Sequence, residues 1–593
     1  MNLLSVTGKK WILKNCNSQE VDFIKDNFFL DTMTSKLIAI KKIKKEDINN
    51  YLNPTIKNIL PNPNVLKDME KTTKRTIQSI INSENIGIFG DYDVDGASST
   101  ALLGKFFSEI KHPFHIYIPD RKLEGYGPNK KGFDYLINQK SKIIFTVDCG
   151  TLSFETIDYA FKKKIDVLVL DHHQSELKLP NAFSVVNPNR FDDNSHLNYL
   201  CAAGVCFMFL ISLNKELRNI NWFNKNNITE PNLMNYLDLA SLGTICDVVP
   251  LVHLNRAIVK QGLKVLKLRK NLGIKTLLDI CRIESEPTTY DLGYVIGPRI
   301  NAGGRVGKCS HGANLLLNEN SKVAFKLASE LDSYNNQRKI IEKNLLSEIL
   351  KNISESHDPV VIINGANWHE GIIGIIASRI KDKFNKPAII ISTTNKIGKA
   401  SARSISGFDI GSLIVAAVQK GLLIKGGGHK MAGGFSIETD KIESFKKFVF
   451  KKFNTQNSHI PHEKNVMLDS IIAPSAVNVE FFNNVNKLSP FGAGNIEPKF
   501  YIEDLKVIST QIVGNDHVKS ILLGKDGSTI KTIAFNASQN NLGAYLLKKN
   551  SKTFNIAGKL SLNEWKGKKN VEFIIDDISV NKNNKNTVPS SIG

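Results

Sequence analysis

Three aspartates on alternate positions, Asp91, Asp93 and Asp95 in "GDYDVDGASST", concentrate acid in a chain whose formal net charge is +21. The apolar run "IGIFG" leads straight into them, "IIFTV" leads into Asp148, and "DVLVL" leads into Asp171, His172 and His173. Asp247 lies inside "LDLASLGTICDVVPL", an apolar stretch where a buried acid without a partner is costly. Carboxylates gathered within about 4 to 6 Å raise each other's pKa, so a convergence of these acids calls for a resident cation. Carboxylate oxygens and imidazoles without paired thiolates select Mg²⁺ or Mn²⁺ before Zn²⁺, and the ligands suffice for two ions. Two such ions roughly 3.5 to 4 Å apart activate water and stabilise a phosphoryl transition state. A calcium loop also begins DxDxDG, but the twelfth position counted from Asp91 is Leu102, not Glu.

For these groups to meet, the runs that carry them must be parallel strands of one open sheet, whose carboxyl ends share an edge where ligands bind. Apolar β-rich runs at 85–90, 142–147, 166–170 and 183–186, separated by helical stretches, predict that sheet with helical crossovers. Between Lys322 and Ile353, the residues Leu327, Leu331, Tyr334, Arg338, Ile341, Leu345 and Ile349 recur at steps of three and four. This predicts one helix roughly 48 Å long, a connecting strut. A second α/β segment opens with "PVVIING", continues through "PAIIIS" and ends in "GGGHKMAGGFSI". Short alternating strands then follow, "KVISTQIV", "VKSILLG", "TIKTIAF", "FNIAGKL" and "VEFIID", as in a small β barrel or sandwich.

The expected fold class is therefore α/β, a parallel-sheet domain joined by a long helix to a second α/β domain, plus a C-terminal β-barrel domain. The boundaries are an N-terminal segment at 1–65, the first domain at 66–320, the helix at 321–354, the second domain at 355–460, the barrel at 461–580 and a disordered tail at 581–593. Cysteines at 16, 149, 201, 206, 246, 281 and 309 form no CxxC pair, which points to reduced thiols in a cytosol. The start lacks a basic stretch followed by an apolar core, and the longest apolar run, "GVCFMFLISL", is too short to span a bilayer. A soluble cytoplasmic chain that meets no membrane is expected. The basic balance, 78 Lys plus Arg against 57 Asp plus Glu, favours a polyanionic partner.

"DYDVDG", "TVDCG", "LDHHQ" and "GTICDVVPL" stand in the order of the four signatures of the DHH phosphoesterase superfamily, which the chain resembles. "GPRINAGGRVG", "HEGIIGIIASRI", "SARS", "GGGHKMAGGF" and "PFGAGNIEPKF" make it similar, over nearly its whole length, to the RecJ branch of that superfamily. The resemblance implies that Asp93 and Asp148 hold one ion and that Asp95, Asp148, His172 and Asp247 hold the other, with Asp148 bridging. It also places His173 beside the scissile phosphate. Some superfamily members carry a histidine four residues before the position of Asp93, where this chain has Phe89. Asp91 is the local candidate to complete that shell, directly or through water, and joins His173 among the catalytic positions.

The second α/β segment resembles a partner (DHHA1) domain that closes over the sheet edge. Substrate-binding positions implied there and nearby are Arg299, Asn301 and Arg305, Ser401, Arg403 and Ser404, and Gly427, Gly428 and His429. Arginine matches phosphate oxygens bidentately, and glycine leaves backbone N–H groups open to a phosphate. The barrel resembles an OB fold, which binds single strands through a basic groove and stacking aromatics, with Phe491, Phe500 and Tyr501 as candidate stackers.

By resemblance, the expected activity is 5′→3′ hydrolysis of single-stranded DNA to 5′-mononucleotides with two Mn²⁺ or Mg²⁺ ions, in recombination and repair. A single-strand-binding protein, a RecQ-type helicase and a monomeric state complete the expectation. Two other readings stand beside it. One is an oligoribonuclease or cyclic-dinucleotide phosphodiesterase, whose members are generally shorter and lack the barrel; the other is a non-catalytic replication scaffold, which the full set of acids and histidines disfavours.

Overall fold

The computed structural model describes residues 3–353, 358–456, 465–548, 553–565 and 568–580; the tail expected at 581–593 lies outside them. Five parallel strands form the first sheet in the order Phe114–Tyr117, Asn85–Gly90, Ser141–Val147, Asp166–Leu170 and Ser184–Val186. Four of them are the apolar runs singled out above; the edge strand "FHIY" is short and only half-buried, and carries little periodic signal.

Register explains the convergence of the acids. Gly90 pairs with Val147, Val147 with Leu170, and Leu170 with Val186. The next residue on each strand is Asp91, Asp148, Asp171 and Asn187, so these four form one row at the carboxyl edge. Neighbouring strands lie only about 4.8 Å apart. The buried helix Ala202–Asn219 and the helix Leu237–Cys246 pack beside the helix Val94–Glu109 and bring their ends to the same edge.

Burial in this helical layer is near complete, and one acid within it has no structural need for charge. Asp238 is 3 % exposed, and burial pushes its pKa up to about 6 from the ordinary carboxylate value of 3.8. An acid whose pKa is raised on folding stabilises the fold less as pH climbs from its unfolded value through its folded one. Asp238→Asn retains an oxygen to accept the Leu239 N–H. The variant should leave stability unchanged near pH 4 and raise it by up to about 3 kcal/mol above pH 7, read by urea unfolding at the two pH values.

The strut is a single helix, Ser321–Asn352. Leu331, Leu345 and Ile349 on its predicted stripe are buried, while Arg338 pairs with Glu342 one turn on. Beyond it, a mixed sheet has the order Lys425–His429, Ala432–Glu438, Ile397–Arg403, Ala388–Thr394 and Val361–Ala366, parallel only in its last pair. The glycine-rich "GGGH" is thus an exposed edge strand of a hairpin. The C-terminal strands close into a barrel, because Phe500–Val513 pairs with both His517–Leu523 and Phe554–Trp565.

The N-terminal segment shares the barrel's core. The strand Lys10–Leu13 pairs in parallel with Asn465–Leu468, and Val21, Ile24, Leu37 and Ile38 pack with Ile472, Leu488 and Phe500. The Trp11 indole N–H donates to Asp577 at 2.9 Å. Arg256, on the helix His253–Lys267, fastens this module to the catalytic unit: it is 2 % exposed and donates to the carbonyls of Tyr51, Leu488, Ser489 and Pro490 at 2.7 to 3.2 Å. Its guanidinium also stacks 3.9 Å from the centre of the Tyr51 ring. Among the described residues no helix is long and apolar enough to cross a membrane.

Candidate active site

Asp93 caps the helix Val94–Glu109, accepting the N–H groups of Asp95 and Gly96 at 2.9 and 3.0 Å. Gly96 is required here, since a Cβ would stand 2.5 Å from the Asp91 carbonyl oxygen. Asp95 accepts the N–H groups of Ala202 and Ala203 at 2.7 and 2.9 Å, so the start of a second helix points its positive end at the carboxylate. Asp148 and Val248, which follows Asp247, both hold φ near 61°, a conformation unfavourable to side-chain-bearing residues and most of all to a β-branched one. Strain of this kind persists where surrounding structure imposes it, commonly at functional sites.

Ligand atoms fall into three overlapping groups, each spanning less than 4.8 Å: Asp91, Asp93 and Asp148; Asp95, His172 and Asp247; and Asp148, His172 and His173. Asp148 and His172 each belong to two of them. Burial, and then Asp93, Asp95, Asp91 and Asp247, push the Asp148 pKa well above the carboxylate range. Burial followed by Asp95 and Asp93 takes Asp247 up to about 8. His172 Nε2 is buried without a hydrogen-bond partner, 3.3 Å from Asp148, 3.6 Å from Asp247 and 3.8 Å from Asp95. Asp91 Oδ1 is likewise buried and unpartnered. Orphaned donor atoms among mutually repelling carboxylates fit hard divalent cations, and oxygen-rich ligation with one imidazole suits Mn²⁺ or Mg²⁺. Phe89 is fully buried between Tyr117 and Phe133, so Asp91 alone extends the first group on that strand.

Asp171, which sequence reasoning left without a role, fixes the turn that carries both histidines and orients the His173 ring. Its Oδ1 accepts from the N–H of His172 at 2.7 Å and from His173 Nδ1 at 2.8 Å, while its Oδ2 accepts from Thr151. Burial disfavours charge on His173, but the Asp171 hydrogen bond and charge outweigh it and raise the pKa to about 9. Tyr126, also missed, donates to the Asp148 carbonyl at 3.0 Å and reaches the His173 ring at 3.3 Å. It lies in an aperiodic loop whose flanking Gly125 and Gly127 have positive φ, the one local signal that could have flagged it.

Facing the acids is a basic cleft. Arg305 donates to the Gly371 carbonyl at 3.0 Å, and burial, then Arg121, Arg338 and Arg403, lower its pKa to about 10. A cavity of about 230 Å³ is lined by Arg305, Arg403, Arg379, Ser378 and Asp382. Arg379 is paired with Glu342 at 3.0 Å, which leaves Arg305 and Arg403 as the cations that suit a phosphate there. Arg121 was missed by sequence reasoning; its guanidinium lies over the Tyr92 ring at 5.3 Å.

Register places Arg403 opposite Ala432 and Ala432 opposite His429, and likewise Ser401, Gly434 and Gly427 in one row. These two rows share a sheet face, and a Cβ at Gly427 would meet open space. Gly428 is one residue out of phase and belongs to the opposite face. Arg299 is engaged by Asp332 and the Val295 carbonyl, both at 2.8 Å, and Ser404 is 1 % exposed with its hydroxyl donating to the Phe408 carbonyl. Asn301 is partly buried on the helix Gly297–Val306, which also carries Arg305. The stacking candidates require correction: Phe500 fills the barrel interior against Phe481, with Phe491 packed on that core, while Tyr501, on the opposite face of the strand, is buried under Trp11, Val466 and Leu468.

A five-stranded parallel sheet with this acidic edge, closed by a second α/β unit, is the architecture of a metal-dependent phosphoesterase of the DHH class. Family models agree: the DHH family N-terminal domain matches 85–244, the DHHA1 domain 357–455 and the RecJ OB domain 468–577. The chain belongs to the RecJ family of single-stranded-DNA-specific exonucleases. It is 32 % identical over 540 residues to the Escherichia coli member, covering 89 % of this chain and 92 % of that one. With the Haemophilus influenzae member it shares 32 % over 549 residues, covering 89 % and 93 %. The Thermus thermophilus RecJ structure in complex with Mn²⁺ shares the fold, with a TM-score of 0.79 at 24 % identity over 96 % of this chain and 80 % of that one. A structure of exonuclease RecJ bound to manganese aligns at 28 % identity and TM-score 0.56, covering 68 % of this chain and 96 % of that one.

Proposed function

We propose that the protein is a single-stranded-DNA-specific exonuclease that works 5′→3′ and releases 5′-mononucleotides in recombination and repair. The observation that carries the reading is the row of acids at the sheet edge with arginines close enough to act on it, Arg121 on Asp91 and Arg305 on Asp93. Asp93 and Asp148, with Asp91, would hold one Mn²⁺ or Mg²⁺ ion, and Asp95, Asp148, His172 and Asp247 the other. Bound there, the pair supplies an activated water and neutralises charge developing on the phosphoryl oxygens.

The chain's own groups do the rest. Arg121, Arg305 and Arg403 receive phosphate oxygens, and Ser401, Gly427 and His429 extend that face along the strand. His173, fixed through Nδ1 by Asp171, presents Nε2 toward the phosphate as a hydrogen-bond donor. Arg299, Asn301, Ser404 and Gly428 shape this surface from behind. The reading includes a monomer acting in the cytoplasm with a single-strand-binding protein and a RecQ-type helicase.

Strands labelled at either end, duplexes and dinucleotides, incubated with Mn²⁺ or Mg²⁺, test it. A 5′ label should leave at once as a mononucleotide, a 3′ label should persist on a shrinking ladder, and duplexes should survive. Activity confined to dinucleotides would favour the oligoribonuclease reading, and inactivity on every substrate would favour the scaffold.

A further inference from the structure

Phe500 and Tyr501, two of the expected stackers, are buried, yet two tyrosines elsewhere are open. Tyr290 and Tyr294 are 62 % and 72 % exposed, and their rings stack 5.1 Å apart at 26°. They lie just before and within Asp291–Ile296, a π-helical turn. Such widened turns are rare and concentrate at functional sites. The inner side of the turn is firmly anchored: Leu292 and Ile296 are buried, and Gly297 comes so close to Cys246 that a Cβ would stand 2.6 Å from its sulfur. Cys246 donates to the Leu292 carbonyl at 3.4 Å and directly precedes Asp247. The backbone that displays the tyrosines is therefore packed against the turn that carries a metal-site acid, and it runs on into the helix of Arg305.

The pair also adjoins the barrel. Thr289 donates to the Phe491 carbonyl at 2.9 Å. Two exposed, mutually stacked aromatic faces on backbone that runs into the Arg305 helix match what a single strand presents, a π-face on every base. A protein partner would find only two rings, too little apolar area for a stable interface.

We propose that Tyr290 and Tyr294 form a stacking platform for nucleobases of the substrate strand between the catalytic cleft and the barrel. The proposal rests on the exonuclease reading above. In the full-length protein with Mn²⁺, Tyr290→Ala/Tyr294→Ala should raise KM for a long oligothymidylate roughly tenfold or more with kcat unchanged. Hydrolysis of a tetranucleotide, which offers few bases beyond the scissile linkage, should change far less. Tyr290→Trp/Tyr294→Trp should restore KM, and replacing the bases distal to the cleft with abasic linkages should raise the wild-type KM to that of the alanine variant.

An unchanged KM on the long strand would overturn the platform. Equal losses on long and short substrates would also overturn it, because they assign the tyrosines to support of the Arg305 helix. Wild-type protein that degrades no strand would instead sink the exonuclease reading itself.

Discussion

Asp148→Asn should abolish strand degradation and at the same time make the metal-free protein more stable. Asp148 is 2 % exposed and sits among Asp91, Asp93, Asp95 and Asp247, which together with burial drive its pKa far upward. An acid raised in this way contributes stability at low pH that is lost as pH rises from its unfolded value of about 4. Asparagine keeps the shape and removes the charge, so the variant's advantage in metal-free buffer should widen from pH 5 to pH 8. Mn²⁺ should reverse the order. At a hundredfold excess over its dissociation constant, an ion that binds only the folded state adds about 2.7 kcal/mol per site. The wild type should gain this and the variant little, since its shared ligand is weakened. Degradation should fall by roughly 10³-fold or more, the scale on which loss of a central catalytic group is measured. Thermal melts with and without Mn²⁺, run beside the strand assay, check both halves. Undiminished activity in the variant would sink the metal assignment.

Arg256→Ala should cost about 4 kcal/mol and divide unfolding into two steps. The guanidinium is buried at the meeting of three pieces of chain, and its removal leaves the Tyr51 carbonyl without its donor and opens a cavity against the Tyr51 ring. Neighbours compensate in part: Asn495 also donates to the Leu488 and Pro490 carbonyls, and Lys260 to that of Ser489. This keeps the loss near the upper end of single-site effects without exceeding it. With the fastening weakened, the barrel and N-terminal segment should unfold before the catalytic unit, visible as an early Trp11 fluorescence change in a urea titration. Arg256→Lys, which keeps charge but loses the fork, should fall between the two. One cooperative transition at the wild-type midpoint would refute the junction.

The acidic edge could be read from sequence because each strand is a short apolar run ending in an ionisable group, and parallel register does the rest. Asp148 needed no long-range information beyond that, whereas Asp247 caps a helix and its place in the site followed from the family resemblance. Asp171 was equally visible, but its work is orientation, which depends on contacts with Thr151 and His173 that no spacing encodes. Arg121 and Tyr126 sit in an aperiodic loop and acquire meaning only when that loop folds over the edge. Aromatics in the barrel misled for a different reason: strand alternation shows that a residue faces inward or outward without showing which, and Phe500 faces in. The glycine run of "GGGH" has the composition of a turn, yet pairing with Ala432–Glu438 draws it into the sheet. Nothing local in residues 3–52 reveals that their partner strand and core lie at the other end of the chain.

That pairing across the chain bears on how the protein is made. Lys14 meets Asp469, 455 residues away, and the strand Lys10–Leu13 finds its neighbour at Asn465–Leu468. At typical ribosomal speeds of about 5 to 20 residues per second, the first segment waits on the order of a minute before its partner emerges. Throughout that interval Trp11 lacks the strand and the Tyr501 ring that bury it, and Ile24 and Ile38 have only their own helix pair to pack against. The catalytic unit can close while synthesis continues, but the opening residues are the last to settle, and a nascent chain halted before the barrel would display them to chaperones and proteases.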